Sequence, residues 1–238
     1  MNLSKRLKAV ADLAPASRVI ADIGCDHAHV AIYLIQNNIA DKVIACDVNE
    51  GPLSAAKNNI SLVGLMDSIE LRLSDGLKEL ARNEADAVII AGMGGPLMAR
   101  IISEGLDRLR DGTVLILQPQ SEISAFRHFL YDNKLDIQAE SMIYEDGKFY
   151  PIMMAVLSDD DNRQRMYDNA SDSDFAYGKL LIDSRNSVLY ELLEREYGQL
   201  QKIRNSLNEN GTSDRTSEKI EEVDKKIALN RKTAGRYV

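Results

Sequence analysis

The 238-residue chain predicts an α/β fold built on a parallel sheet that ends in an antiparallel hairpin. Three observations lead to this prediction. Short apolar runs alternate with helix-like stretches up to about residue 135, the runs are almost continuous in Val, Ile, Leu and Ala, and two later runs flank an Asp-Gly turn. Continuous apolar runs are typical of strands covered by helices on both faces. Their alternation with helices is the pattern of a doubly wound sheet.

The elements follow in order along the chain. The predicted strands span residues 18–24, 42–48, 68–73, 85–91 and 113–117. The predicted helices span residues 26–37, 52–63, 77–82, 96–109 and 121–133, and an amphipathic helix is expected at the N-terminus.

A hairpin is expected after the fifth strand. Residues 137–144 and 149–157 read as strands, and the Asp146-Gly147 pair between them favours a tight turn. Parallel strands that end in an antiparallel pair are typical of Rossmann-like S-adenosylmethionine methyltransferases, whereas dehydrogenases usually keep a sixth parallel strand. This likeness is an analogy of fold.

We predict two domains, 1–160 and 161–238. A polar break at 158–174 separates them. The second domain carries two apolar stripes, interrupted at 208–211, that predict a coiled-coil-like α-helical hairpin. The stripes consist of Leu189, Leu193, Leu200, Ile203 and Leu207, and then of Ile220, Val223, Ile227 and Ala234.

The turn after the first strand reads Asp22-Ile23-Gly24-Cys25-Asp26. A dinucleotide-binding turn needs three glycines so that a pyrophosphate can approach a helix N-terminus, and only Gly24 is present. Asp26 would also repel phosphate. S-adenosylmethionine contains an adenosine and a sulfonium but no phosphate, and it fits this turn better. An ordinary strand–turn–helix capped by Asp26 is the alternative.

The other strand ends carry groups suited to a nucleoside. Ligands of open parallel sheets bind at the carboxyl ends of the strands. Asp47, at the end of the second strand, is placed to hold ribose hydroxyls, and Asp75, after the third, to hold an adenine amino group. The glycine-rich run 92–95 after the fourth strand leaves room for a flat base. Each turn taken alone is also a common turn sequence.

These motifs, with the hairpin 145–150, resemble the TrmK-type bacterial tRNA methyltransferases. They are Asp22-Ile23-Gly24-Cys25-Asp26-His27-Ala28-His29, Asp47-Val48-Asn49-Glu50-Gly51-Pro52-Leu53, Ser74-Asp75-Gly76-Leu77, Ala91-Gly92-Met93-Gly94-Gly95 and Leu117-Gln118-Pro119. The resemblance is close over residues 1–160. It implies transfer of a methyl group from S-adenosylmethionine to N1 of adenine 22 in tRNA.

The resemblance also implies positions for the cofactor, whereas the substrate contacts are predicted from the residues themselves. The cofactor positions carried over are Asp22, Gly24, Asp47, Val48, Asn49, Asp75, Gly76, Gly92 and Met93, to which we add Cys25 and His27 of the first turn. Cys25 stands where the family would place a small polar residue. The expected tRNA contacts are His29, Gly94, Gly95, Tyr150, Lys5, Arg6, Lys225 and Lys226.

Asp26 is the predicted catalytic residue. Adenine N1 is a neutral nucleophile, so methyl transfer needs no strong base but leaves a positive charge on the ring. Orientation and a nearby negative group therefore help most. Asp26, beside the cofactor turn, supplies that group. A duplex would hide N1, so the base must be exposed before it reacts.

Charge and composition limit the kinds of binding partner that the chain is expected to have. The net charge of −8 does not suggest a general nucleic-acid binder, yet the last fourteen residues hold five basic side chains and no acidic one. No apolar run reaches the length of a membrane span, and two cysteines are too few for a disulfide framework, so we expect a cytoplasmic protein without membrane contact. We predict no metal site, and a monomer is favoured although the sequence does not decide the oligomeric state.

Two alternatives to tRNA methylation stay open at this point. One is a methyltransferase that acts on another RNA or on a small molecule. The other is a non-catalytic RNA-binding protein that retains the cofactor fold, against which the three acids Asp22, Asp47 and Asp75 count.

Overall fold

The computed structural model describes residues 3–158, 160, 164–210 and 214–237. The chain divides into two compact units, Met1–Asp168 and Asn169–Val238. Within the described part of the chain, no helix has both the length and the apolar character that crossing a bilayer requires.

The first unit alternates helices and strands as the sequence predicts. Its helices are α1 (Lys5–Asp12), α2 (His29–Gln36), α3 (Glu50–Leu62), α4 (Gly95–Gly105) and α5 (Ile123–Asp132), with a short 3₁₀ turn at Leu106–Arg108. Its strands are β1 (Ser17–Ile23), β2 (Ala40–Asp47), β3 (Ile69–Leu73), β4 (Ala87–Met93), β5 (Val114–Pro119), β6 (Leu135–Glu145) and β7 (Lys148–Leu157).

The seven strands form one sheet in the order β3-β2-β1-β4-β5-β7-β6. The first five strands run parallel to one another, and β7 is antiparallel to both β5 and β6. The strand order reverses between β1 and β4, which is where open sheets of this kind bind ligands. The α/β Rossmann-like fold with a terminal antiparallel hairpin is therefore confirmed.

The β6–β7 hairpin closes more tightly than the predicted strand limits suggest. Glu145 pairs with Lys148, so only Asp146 and Gly147 form the turn. Both have positive φ, 49° and 79°, as a type I′ turn requires. Asp-Gly is one of the pairs that adopt this turn at little cost, and the turn matches the twist of the strands.

Helix α1 is attached to this hairpin through its N-terminus. The Glu145 carboxylate accepts hydrogen bonds from the backbone N–H groups of Lys5 (2.7 Å) and Arg6 (3.3 Å). Desolvation is the largest single effect and raises the pKa of Glu145, but these two bonds, the Ser4 side chain and the charge of Arg6 together outweigh it, so the pKa is lowered. A negative charge at a helix N-terminus is also favourable to the helix dipole. At the other end, Val10 and Ala11 are fully buried in the core.

The predicted helix at 77–82 is wrong. The segment after β3 is a series of turns, in which the Ser74 hydroxyl donates to the Gly76 carbonyl (2.8 Å) and accepts from the Glu79 N–H (3.3 Å). Such side-chain bonds compete with helical ones. Leu77 and Leu80 are buried. Their three-residue spacing therefore comes from two side chains that pack a turn against the core, and it does not mark the face of a helix.

Helix α2 begins at His29, three residues later than predicted. Asp26 and Ala28 both have left-handed backbone conformations, with φ of 49° and 59°, and cannot continue a right-handed helix. The N-cap residue is Ala28, with no side-chain bond, so Asp26 does not cap α2.

The second unit contains α6 (Asp172–Tyr177), α7 (Lys179–Asp183), α8 (Ser187–Asn210), α9 (Asp214–Ala234) and a 3₁₀ turn at Gly235–Tyr237. Helices α8 and α9 are antiparallel, because Asn230 Nδ2 donates to the Leu193 carbonyl (3.0 Å) near one end while Arg204 pairs with Asp224 toward the other. A coiled-coil geometry remains a prediction. Residues 159, 161–163 and 211 of the two predicted breaks lie outside the described residues.

The predicted stripes are largely the buried faces of this helix pair. Leu189, Leu193 and Leu200 of α8, with Val223 and Ala234 of α9, are buried. Ile203 is the exception, since it is 49% exposed. Leu207 of α8 and Ile220 and Ile227 of α9 are half-buried.

A buried ion pair should control the stability of the first unit. Arg127 Nε lies 2.9 Å from Glu140 Oε1, both side chains are at most 1% exposed, and the Tyr167 hydroxyl donates to Glu140 Oε2. Arg127→Met should lower the free energy of unfolding by about 3–5 kcal/mol, because it leaves a carboxylate buried without its cation. Urea unfolding followed by circular dichroism measures this loss.

Arg82 supplies the control. Its pair with Asp107 is mostly exposed, and Arg82→Met should cost less than about 1 kcal/mol. In the double variant Arg127→Met/Glu140→Leu part of the lost stability should return. An Arg127→Met protein as stable as the wild type would contradict the assignment.

Candidate functional site

A cavity of about 660 Å³ opens at the carboxyl ends of the parallel strands. It extends from the β1–α2 turn across the ends of β2, β3 and β4 to Gln120 after β5. Its position follows from the strand order, since the chain leaves β1 and β4 in opposite directions along the sheet.

The β1–α2 turn forms the floor of this cavity. Gly24 N–H and Cys25 N–H both donate to the Cys46 carbonyl, at 2.8 and 2.9 Å, and so tie the turn to β2. Gly24 has a φ of 75°, and a Cβ there would collide with the Met93 side chain. The positive φ favours glycine at this position, whereas the contact with the end of the flexible Met93 side chain could be relieved by a change of its rotamer.

Asp22 is a buried carboxylate at the bottom of the cavity. It is 4% exposed, and within the described chain Oδ2 has no hydrogen-bond partner. Burial raises the pKa of Asp22 to about 7; the Ala31 N–H opposes this rise and the charge of Asp47 adds to it. A buried carboxylate that lines a cavity and has one oxygen without a partner is suited to a cationic ligand group.

Asp47 orients the cavity wall at the end of β2. Its carboxylate accepts hydrogen bonds from the backbone N–H groups of Asn49 (3.0 Å) and Asp26 (3.3 Å). Next to it, Val48 is 59% exposed, and Leu97 of α4 is 40% exposed, although both are apolar and both line the cavity. These two side chains offer apolar surface to a flat ring.

Asp75, at the end of β3, belongs to a surface ion network. Lys78 Nζ lies 2.6 Å from Asp75 Oδ2, and this bond, helped by Arg100, lowers the pKa of Asp75. Both cations also contact Glu104. Asp75 is therefore an ionised acceptor at neutral pH. Arg100, which no sequence motif predicts, also lines the cavity and comes from α4, 25 residues further along the chain.

The first turn also carries Asp26 and two histidines. The Asp26 side chain is 71% exposed at the cavity, with Oδ1 3.6 Å from His27 Nε2. The rings of His27 and His29 stack at 5.6 Å between centroids. Burial keeps Cys25 a neutral thiol by raising its pKa. Among the described residues no three His, Cys, Asp or Glu side chains gather as a metal site would require.

Arg6 closes the cavity on the β5 side. Its NH1 group donates to Gln118 Oε1 at 2.8 Å, and its guanidinium lies 5.4 Å from the centre of the Tyr150 ring. Gln118 is fully buried at the end of β5. The N-terminal helix therefore places a positive charge beside the glycine-rich end of β4.

The structure brings most of the predicted site residues together. The predicted catalytic residue Asp26 and the predicted substrate contacts His29 and Arg6 line the cavity. So do all eleven predicted cofactor residues: Asp22, Gly24, Cys25, His27, Asp47, Val48, Asn49, Asp75, Gly76, Gly92 and Met93. Gly95 is buried against the Ser121 carbonyl, and a Cβ there would lie 2.6 Å from that oxygen, which makes it a packing glycine. Gly94 is the N-cap of α4.

Four other predicted substrate contacts are not among the residues that line the cavity. Tyr150 is covered on one ring face by Arg6, and the exposed Lys5 borders that residue in α1. Lys225 and Lys226 lie on α9, where they pair with Glu221 (2.7 Å) and Glu222 (2.6 Å) one turn earlier. Leu97, Arg100 and Gln120 line the cavity and were not predicted. Only Gln120 had a signal in the sequence, because it directly follows a strand end.

Comparison with known proteins agrees with this arrangement. The TrmK family model, described as tRNA (adenine(22)-N(1))-methyltransferase, matches residues 20–232. The tRNA (adenine(22)-N(1))-methyltransferase of Bacillus subtilis (strain 168) is 34% identical over 230 residues, which are 96% of this chain and 95% of that protein.

Solved structures are similar over almost their whole length. The crystal structure of the B. subtilis m1A22 tRNA methyltransferase TrmK has a TM-score of 0.86 at 33% identity and covers 98% of this chain and 99% of its own. M. capricolum TrmK, in complex with S-adenosyl-homocysteine, has a TM-score of 0.83 at 30% identity and covers 99% of each chain. This chain belongs to the TrmK family of tRNA (adenine(22)-N(1))-methyltransferases.

Proposed function

We infer that this protein methylates N1 of adenine 22 in tRNA with S-adenosylmethionine as the methyl donor. The observation that carries the inference is the coincidence of the family match with an intact strand-end cavity, in which every predicted cofactor residue is present. A structure of Streptococcus pneumoniae Sp1610 with S-adenosyl-L-methionine, at 30% identity and a TM-score of 0.83, supports the choice of cofactor.

The residues of the cavity fit this cofactor by their chemistry. The unbonded Asp22 oxygen suits the positively charged part of the molecule, and Asp47 suits ribose hydroxyls. Val48 and Leu97 suit the faces of adenine, and the ionised Asp75 suits its amino group. The bound cofactor would supply a methyl group on a positively charged sulfur.

We propose that Asp26 is the catalytic residue. Its carboxylate stands at the cavity on a turn whose backbone is held by Asp47, so the backbone that carries it is preorganised. As adenine N1 takes up the methyl group, the ring becomes positive, and a nearby carboxylate stabilises that charge. No proton has to leave N1 before the reaction, so Asp26 is needed as a charge and not as a strong base.

We propose that tRNA contacts two regions. Arg6 and Lys5 of α1 and Tyr150 of β7 lie near the base side of the cavity, and Lys225 and Lys226 of α9 lie in the second unit. The lysines of α9 are paired with glutamates, so phosphates must compete with those pairs. We further propose that residues 161–238 act as the tRNA-binding domain, that the protein works as a monomer, and that it acts in the cytoplasm, where tRNA is found.

Nucleoside mass spectrometry tests the function directly. In vitro transcribed tRNA incubated with the protein and labelled S-adenosylmethionine should yield 1-methyladenosine, and a transcript with guanine at position 22 should yield none. Equal labelling of both transcripts would overturn the position, and labelling of neither would overturn the activity.

Asp22 should make cofactor binding depend on pH. With a pKa of about 7, Asp22 is neutral at pH 6 and ionised at pH 8 in the free protein. Because the ionised form attracts a cation, the affinity for S-adenosylmethionine should increase as the pH rises toward 7 and level off above it. Asp22→Asn should weaken binding by about 10- to 150-fold at pH 8 and lose this dependence. Calorimetry from pH 6 to 8.5 measures both effects, and NAD serves as the negative control.

The same pKa predicts the sign of a stability change. The raised pKa of Asp22 contributes to the stability of the folded, cofactor-free protein. This contribution is fully present at pH values below the ordinary aspartate pKa of 3.8, and it is lost as the pH rises through about 7. Asp22→Asn cannot ionise. Its gain in melting temperature over the wild type should therefore be larger at pH 8 than at pH 5, and a pH-independent difference would contradict the assignment.

Asp26→Asn should separate binding from chemistry. Asparagine tolerates the left-handed conformation of residue 26, so the turn should keep its shape. We expect the affinity for S-adenosylmethionine to change little and the single-turnover rate of methyl transfer to fall by about 10²-fold or more, because the charge is lost. Wild-type turnover in this variant would leave orientation alone as the source of catalysis.

The basic residues of α9 should contribute to tRNA affinity. Neutralising Lys225, Lys226 and Lys232 together to Gln should weaken tRNA binding and lower the slope of log K against log salt by about 0.7–0.9 for each phosphate that the protein no longer neutralises. Filter binding over a salt series measures the slope. The matched control neutralises Arg18, Arg82 and Arg110. Arg18 lies at the start of β1, and the other two precede β4 and β5, so all three are near the amino ends of strands, whereas the cavity is at the carboxyl ends. Equal slopes in the two triple variants would exclude α9 as a tRNA contact.

A further inference from the structure

Gln120 presents a side-chain amide to the cavity directly after β5. Its backbone N–H donates to the Met93 carbonyl at 2.9 Å, which fixes the residue against the glycine-rich end of β4. The side chain is exposed and lines the cavity, and in the described part of the chain its amide has no hydrogen-bond partner. The backbone of Gln120 is therefore fixed, while its side-chain amide is available to a ligand.

The neighbouring Gln118 cannot play the same part. Its Oε1 accepts from Arg6 and its Nε2 donates to the Pro119 carbonyl at 3.2 Å, and the residue is fully buried. One amide of the pair Gln118 and Gln120 thus orients the arginine, and the other remains for a ligand.

Gly92 leaves the space in front of Gln120 open. A Cβ on Gly92 would lie 3.7 Å from Gln120 Nε2 and 3.6 Å from Arg6 NH1, so both donors face the volume that any side chain at 92 would fill. With a φ of 83°, Gly92 also holds a backbone conformation that other residues adopt at a cost.

The reaction restricts which edge of adenine the protein can read. N1 lies on the Watson–Crick edge and must stay free to take the methyl group. The amino group on C6 and N7 remain on the adjacent edge, as one donor and one acceptor. The amide of Gln, with one acceptor and one donor, matches this pair in a bidentate contact. Guanine presents two acceptors, N7 and O6, on the same edge, so it can form only one of the two hydrogen bonds with the Gln amide.

We propose that Gln120 recognises the target adenine through its N6 amino group and N7. Gln120 Oε1 accepts from N6 and Nε2 donates to N7, while Arg6, fixed by Gln118, borders the same space. This assignment rests on the proposed function, because it needs an adenine that reacts at N1. It makes Gln120 a specificity-determining residue and separates base recognition from the charge supplied by Asp26.

Changing the protein and the base together tests the contact. The substrates are tRNA with adenine at position 22 and the same tRNA with 7-deazaadenine there, which has C–H in place of N7. Gln120→Met should lower kcat/KM on the adenine tRNA by about 5- to 150-fold, the worth of a bidentate base contact. The deaza substitution should lower kcat/KM for the wild type and have no further effect on Gln120→Met.

Gln120→Glu gives a result that a merely structural role would not. A carboxylate still accepts from N6 but repels the N7 lone pair. This variant should therefore prefer the 7-deazaadenine tRNA, the reverse of the wild type. Gln36→Met, an exposed Gln at the far end of α2, is the control and should behave as the wild type does on both substrates.

The outcomes separate this assignment from the proposed function. Equal deaza effects in the wild type and in Gln120→Met, or no reversal in Gln120→Glu, overturn the contact while methylation of adenine 22 stands. If the wild type methylates neither tRNA, the proposed function falls and the assignment with it. The S-adenosylmethionine affinity of both variants, measured by calorimetry, should equal that of the wild type and shows that they are folded.

Discussion

Three backbone amides of the β1–α2 connection donate to the end of β2, and the site depends on these bonds. Gly24 and Cys25 donate to the Cys46 carbonyl, and Asp26 donates to the Asp47 carboxylate. The bonds hold a turn whose left-handed residues would not keep their conformation in isolation. They also bring the buried Asp22, the proposed ribose-binding Asp47 and the proposed catalytic Asp26 together at the carboxyl ends of the strands. The geometry of this site is therefore a property of strand pairing as much as of its side chains.

The acids at the cavity have the same chemistry but different surroundings. Asp22 is buried without a partner for one oxygen, Asp47 is bonded to backbone N–H groups, and Asp75 is paired with lysine and arginine. Burial raises the pKa of Asp22, whereas the cations lower the pKa of Asp75. These environments suit the three roles proposed for the acids, toward a cation, toward hydroxyl groups and toward an amino group, and S-adenosylmethionine contains all three kinds of group.

An acidic protein that modifies tRNA must place its positive charge locally. Arg6 is held by a neutral amide and an aromatic ring, so its charge stays available at the cavity. Arg231 and Arg236, by contrast, pair with Glu194 and with Asp174 and Asp183, and so contribute to the packing of the second unit. A count of basic residues near the C-terminus therefore overstates the charge that is free for phosphates.

The sequence by itself determined the succession of strands up to the hairpin, the Asp-Gly turn and the strand-end residues that line the cavity, because apolar periodicity and strand-end motifs are local signals. It did not determine that 77–82 forms turns, since buried Leu77 and Leu80 have the spacing of a helix face. It also could not assign Arg100 or the buried pair of Arg127 with Glu140. These contacts join residues from separate elements, and only the packed sheet decides which side chains meet.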